Sequence, residues 1–123
     1  MDEGKKILII DDDPRNIFAL KLTLQAKGYS CLSATSAPEG IKIAAMQDVG
    51  TILMDMMMPE MDGYQAIAEL RKMPEMAGMP IVAVTAQAMV GDKEKCLEAG
   101  ADAYISKPID VDLLLQVLAN LEK

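Results

Sequence analysis

Asp11, Asp12 and Asp13 directly follow the apolar run Ile7 to Ile10, and Asp55 directly follows Thr51 to Met54. Apolar runs of this length read as buried parallel strands, so both groups of acids are expected at one edge of one sheet. Carboxylates gathered in this way repel one another. They raise each other's pKa, hold a proton in common, or bind a hard divalent cation that cancels the charge. Two further polar residues occupy equivalent places: Thr85 ends the run PIVAVT, and Lys107 ends AYISK. Each residue alone has an ordinary explanation as a helix cap, a strand former or a solvated ammonium. Their coincidence at the same end of four strands outweighs those explanations, except for Asp13, which reads as a helix N-cap.

The charge count points to a chemistry. Asp11, Asp12 and Asp55 contribute three negative charges and Lys107 one positive, leaving a net −2 that one Mg²⁺ balances with oxygen ligands and retained waters. Beside such a cation a carboxylate can attack phosphorus, with Lys107 and the Thr85 hydroxyl offsetting charge on the phosphoryl oxygens. Asp55 is the better nucleophile because it starts a long loop, Met56 to Gly63, whereas Asp11 and Asp12 are tied to the start of a helix. A neighbouring ammonium and a metal lower carboxylate pKa values, which sets proton sharing aside.

The elements that must position these residues follow from period and punctuation. Strands are expected at about 6–11, 30–34, 50–55, 80–85 and 102–106, each followed by a helix. Ile17, Leu20 and Leu24 recur at helical spacing between Pro14 and Gly28, and Ser36 with Glu39 has capping-box spacing ahead of a helix to about Gln47. A third helix follows Asp62-Gly63 and stops before Pro74, a fourth runs from about Gln87 to Ala99, and Asp110 caps a fifth with Leu114, Val117, Leu118 and Leu121 inward. Gly91 then falls near the start of the fourth helix, where glycine costs about 1 kcal/mol relative to alanine. Alternation of this kind implies an α/β, doubly wound five-stranded parallel sheet of order 2-1-3-4-5, whose sites form beyond the strand ends between strands 1 and 3.

Composition narrows the function classes. The chain of 123 residues, 51% hydrophobic, reads as a single domain over 1–123. It has no histidine, which removes a histidine metal site, a histidine general base and phosphohistidine chemistry on this chain. A net charge of −7 and no tryptophan argue against direct nucleic-acid binding. The N-terminal MDEGKKILII is neither a signal peptide nor a membrane span, and two cysteines, Cys31 and Cys96, suit a reducing cytoplasm as small buried residues. Eleven methionines read mainly as core filler, with an adaptable partner surface as the second reading.

The motifs ILIIDDDP, ILMDMMMPEMDG, VAVTA and YISKP stand in order and at the spacing of the receiver domain of two-component response regulators, which the whole chain resembles. The resemblance implies that Asp55 is the phosphoacceptor, that Asp12, Asp55 and the Met57 backbone carbonyl bind Mg²⁺ (or Mn²⁺), and that Asp11 reaches the metal through water. Thr85 and Lys107 resemble the phosphoryl-binding pair and Tyr104 the switch aromatic, and the Lys107-Pro108 bond is cis in that family. The implied partner is a sensor histidine kinase or a His-containing phosphotransfer domain, followed by an unknown downstream protein. Phosphorylation would repack the surface of helix 4, strand 5 and helix 5, with no catalysis beyond the protein's own phosphorylation and autodephosphorylation. Met57 and Gln87, two residues after Asp55 and Thr85, resemble positions that govern water access to the phosphoryl group.

QAMVGDKEKCLEAG and YISKPI resemble receivers of hybrid sensor kinases more than those fused to DNA-binding domains, so the expectation is a stand-alone regulator or a receiver cut from a hybrid kinase or a longer regulator. Other readings fit less well. An Asp-nucleophile phosphatase of the haloacid dehalogenase type wants an acid where Met57 stands. A phosphorylation-independent pseudo-receiver does not need the complete acid, Thr and Lys set, and a flavodoxin-like cofactor protein wants aromatic residues and glycine-rich phosphate loops.

Overall fold

In a computed structural model, residues 5–86 and 90–121 are described. The strands are β1 (Lys6–Ile10), β2 (Cys31–Ala34), β3 (Val49–Asp55), β4 (Ile81–Thr85) and β5 (Ala103–Ser106). All pair in parallel in the order β2-β1-β3-β4-β5, as expected for a doubly wound sheet. The helices are α1 (Pro14–Ala26), α2 (Ala37–Met46), α3 (Gly63–Lys72), α4 (Asp92–Ala99) and α5 (Val111–Leu121).

Side-chain alternation along the strands divides the core in two. Ile7, Ile9, Leu53, Val82, Val84 and Ile105 pack against α1 and α5 through Ile17, Leu20, Leu24, Leu114 and Leu118. Leu8, Ile10, Ile52, Met54, Ile81 and Ala83 face the other way, against Ala44, Ala66, Ile67, Leu70 and Cys96 of α2, α3 and α4. The continuous apolar runs arise because every central strand is covered on both faces.

Caps set the helix starts. Asp13 accepts from the Arg15 amide at 2.9 Å, Asp62 exchanges hydrogen bonds with Gln65 in a full capping box, and Asp110 accepts from the Leu113 amide at 3.2 Å. Glu39 reaches the Thr35 amide at 2.9 Å rather than that of Ser36, so the second capping box is offset by one residue.

The structure departs from the sequence reading in several places. Asp11 and Lys107 lie one residue beyond β1 and β5, although the Asp11 amide still donates to Ala34 and the Lys107 amide to Thr85. A 3₁₀ turn at Pro74–Met76 follows α3. Cys96 is buried but Cys31 only half-buried, and Met46 and Met57 are exposed while Met54, Met56, Met58 and Met76 are core. The largest correction concerns α4. It begins at Asp92, and Gly91 is its N-cap in the left-handed region at φ 88° rather than a helical residue, so no helix-propensity cost applies there. The expected first turn from Gln87, and with it the Gln87 assignment, lies outside the described residues.

Candidate functional site

The strand ends converge as the sequence implies. Asp11 and Asp55 are each 3% exposed, Asp12 is exposed, and one carboxylate oxygen from each of the three lies within 4.8 Å of the others. By alternation Asp11, Asp55 and Lys107 lie on the α1/α5 side of the sheet, whereas Thr85 continues the row of Ile81 and Ala83 on the α3/α4 side. Lys107 Nζ donates to Asp11 Oδ2 at 3.3 Å and stands 3.6 Å from Asp55 Oδ2. The Met57 amide donates to Asp55 Oδ1 at 3.0 Å, so the start of the β3–α3 loop itself holds the carboxylate.

That loop is pressed tightly under the site. A Cβ on Gly63 would come within 2.7 Å of Met56 Cα and 2.9 Å of the Asp55 carbonyl oxygen, both backbone atoms that cannot give way. Asp11 is held from three sides: the Asp13 amide donates to Oδ1 at 2.8 Å, and Asn16 Nδ2 joins Lys107 on Oδ2 at 3.4 Å. Asn16 escaped the sequence reading because one polar residue in a helical first turn carries no distinguishing signal.

The electrostatics of the protein groups alone follow from burial and crowding. Burial first, and then repulsion from Asp11 and Asp12, pushes the Asp55 carboxyl up to about 6, against the downward pull of the Met57 amide and Lys107. The attraction of Lys107, 3.6 Å away, is smaller than the effect of burial and does not reverse it. With protein charges alone the ammonium does not keep the Asp55 carboxyl low, and the lowering expected from the sequence needs the metal as well as Lys107. The donor set fits a hard divalent cation: it is all oxygen, partly open through Asp12, and carries the uncompensated charge such an ion neutralises.

Thr85 is 1% exposed at the end of β4, and its carbonyl accepts from the Lys107 amide at 2.7 Å, which sets it beside Lys107. The Lys107-Pro108 peptide is cis. Tyr104 is half-buried on β5 opposite Ala83, on the same face of the sheet as Thr85, and its hydroxyl engages Asp92 rather than the acid cluster. Next to the acids, a cavity of about 290 Å³ between α1 and the segment after β5 is lined by Asp11, Asn16, Leu20, Thr23, Lys107 and Ile109.

The sequence matches the family model of the response regulator receiver domain over residues 7–119. The chain belongs to that family. This receiver domain is 36% identical to the sensor histidine kinase RcsC of Salmonella typhimurium over 118 residues, which are 96% of this chain and 12% of RcsC. It therefore spans about an eighth of such kinases. It is also 33% identical to the polar-differentiation response regulator DivK of Brucella ovis, covering 94% of each chain. Among solved structures, the receiver domain of the sensor histidine kinase PA1611 of Pseudomonas aeruginosa PAO1 superposes with a TM-score of 0.88 at 33% identity, over 98% of this chain and 99% of that one. That structure has a magnesium ion coordinated in its active-site cleft. The receiver fold and two-component membership expected from the four motifs are thus established. Among the described residues, no helix is long and apolar enough to cross a membrane.

Proposed function

We propose that this receiver domain is a phosphorylation-controlled switch that takes a phosphoryl group onto Asp55 from a phosphohistidine, carried by a sensor histidine kinase or a His-containing phosphotransfer domain in the cytoplasm. One observation carries the reading: the buried Asp55 carboxylate, at a strand end, shares an oxygen cluster with Asp11 and Asp12 and has Lys107 Nζ at 3.6 Å. Asp12, Asp55 and the Met57 carbonyl would hold Mg²⁺, or Mn²⁺ in its place, with Asp11 acting through water; the PA1611 structure supports magnesium. When bound, the ion supplies positive charge that keeps Asp55 ionised and offsets charge on the phosphoryl oxygens.

A lone pair of the Asp55 carboxylate attacks phosphorus. The new O–P bond forms as the N–P bond of the donor breaks, and that electron pair stays on the imidazole nitrogen. Lys107 pairs with the phosphoryl oxygens, and the Met57 amide fixes the attacking carboxylate. The cavity beside α1 leaves room for the donor, and the exposed Phe18 and Leu22 on the outer face of that helix give a partner helix apolar purchase. After transfer the Thr85 hydroxyl turns to the new oxygens, Tyr104 moves inward, and the α4–β5–α5 surface repacks for a downstream protein. Catalysis is confined to the domain's own phosphorylation and dephosphorylation, and neither nucleic acid nor membrane is a direct ligand.

Incubation with Mg²⁺ and acetyl phosphate, read by intact mass, tests this. One added phosphoryl group in the parent and none in Asp55→Asn is expected. Equal modification of the two proteins defeats the reading.

A further inference from the structure

A second polar cluster lies outside the acid site. Asp92, the first residue of α4, accepts the Tyr64 hydroxyl on Oδ1 at 3.1 Å and the Tyr104 hydroxyl on Oδ2 at 3.2 Å. Tyr64 belongs to α3 and Tyr104 to β5, so one carboxylate joins three elements. Tyr64 is itself well held: Lys95 Nζ lies 4.8 Å from its ring centroid, and its hydroxyl is 3.6 Å from Sγ of the buried Cys96. Asp92 was not singled out from the sequence, because in a helix expected from about Gln87 it is one acid among the charged residues of DKEK.

We propose that Asp92 is the positioning residue of the switch, holding the Tyr104 hydroxyl on α4 through one of its oxygens while Tyr64 anchors the other. The inference rests on the phosphorylation-switch reading above. A hydroxyl bound to a carboxylate is a charge-assisted donor, stronger than a neutral pair. Burial, followed for Tyr104 by Asp92 itself, pushes both tyrosine pKa values up, so both hydroxyls stay protonated donors. When Tyr104 leaves, Asp92 is only half-buried and keeps Tyr64, so water can replace the lost donor. The latch therefore biases the two settings without locking either.

The consequence is a linkage. A ligand that selects the inward setting must work against the Asp92–Tyr104 bond, so removing that bond tightens binding of the ligand. The test titrates the full chain with beryllofluoride and Mg²⁺, following tyrosine ring resonances by NMR, in the parent, Asp92→Ala, Asp92→Asn, Tyr104→Phe and the Asp92→Ala/Tyr104→Phe double variant. Asp92→Ala is expected to bind about 5-fold more tightly than the parent, a size typical of coupled sites. Its ligand-free Tyr104 resonance should move toward the bound position, and in the Tyr104→Phe background the gain should disappear. Asp92→Asn, which keeps the side-chain shape and one acceptor, should shift the same way by less, and it carries the test if the alanine variant does not fold. Damage to α4 alone would not tighten binding.

Parent-like affinity in both Asp92 variants, or a gain that persists without the Tyr104 hydroxyl, overturns the latch while leaving the switch intact. A parent chain that does not bind the probe overturns both.

Discussion

Lys107 Nζ and Asp11 Oδ2 meet at 3.3 Å although the two residues are 96 positions apart, and the same ammonium lies 3.6 Å from Asp55. This contact joins the two ends of the chain at the point where like charges are most crowded. Replacing Lys107 with Met leaves Asp11, Asp12 and Asp55 without that counter-charge. In the presence of chelator, urea unfolding at pH 7 should show a loss of about 1–2 kcal/mol, less than for a fully buried pair because the lysine is partly solvated. Phosphoryl uptake from acetyl phosphate should slow by about 10-fold or more. Unchanged stability and rate would remove Lys107 from the site.

Asp55 gives a pH dependence with a defined sign. Its folded carboxyl holds its proton up to about 6, whereas the unfolded chain releases it near 3.8, so between these values the folded state binds more protons. This contribution is full below the unfolded pKa and is lost as pH rises through about 6. Asp55→Asn lacks the penalty. With chelator present it should be nearly as stable as the parent at acid pH and more stable by about 1–2 kcal/mol at pH 7. Urea titrations at the two pH values check this, and a parent that gains on the variant with rising pH contradicts it.

Gly63 is required for the approach of α3 to the backbone of Asp55 and Met56. Gly63→Ala should cost about 1–3 kcal/mol of stability, as overpacking against atoms that cannot relax does. Because the displaced backbone belongs to Asp55, beryllofluoride affinity should fall as well. Thermal unfolding and a Mg²⁺-beryllofluoride titration of the same sample measure both effects.

Arg71 is a structural hub that the sequence does not advertise. Its guanidinium donates to the carbonyls of Gly100, Met76, Ala77 and Met79 and to Asp102, whose carboxylate also accepts the Ile81 amide. Arg71→Ala should lose about 2–3 kcal/mol. Arg71→Lys should recover little of it, because one ammonium cannot span the acceptors of the planar fork. Full recovery in the lysine variant would show that charge alone matters there.

Met57 is 47% exposed at the mouth and offers no hydrogen bond to an attacking water. Met57→Asn supplies one and should shorten the lifetime of the Asp55 phosphoryl group by roughly 3-fold or more. Following the decay by intact mass tests this; an unchanged lifetime counts against the role of Met57.

The sequence by itself determined the sheet, its strand order and the meeting of Asp11, Asp12, Asp55 and Lys107. Parallel strands buried on both faces must be continuous apolar runs, and their first polar residues mark a common edge. The caps Asp13 and Asp110 were legible for a local reason, since each acts within three residues of itself. The start of α4 was not, because helical spacing extends through Gly91 while only the backbone reveals its positive φ. Tertiary structure alone decided the rest: the raised pKa of Asp55, the grip of Asn16 on Asp11, the Arg71 hub, and the meeting of Tyr64 and Tyr104 on Asp92. These depend on burial and on distances between residues far apart in the chain. Local period records which end of a strand a residue occupies, but not what crosses to meet it or how much water is excluded there.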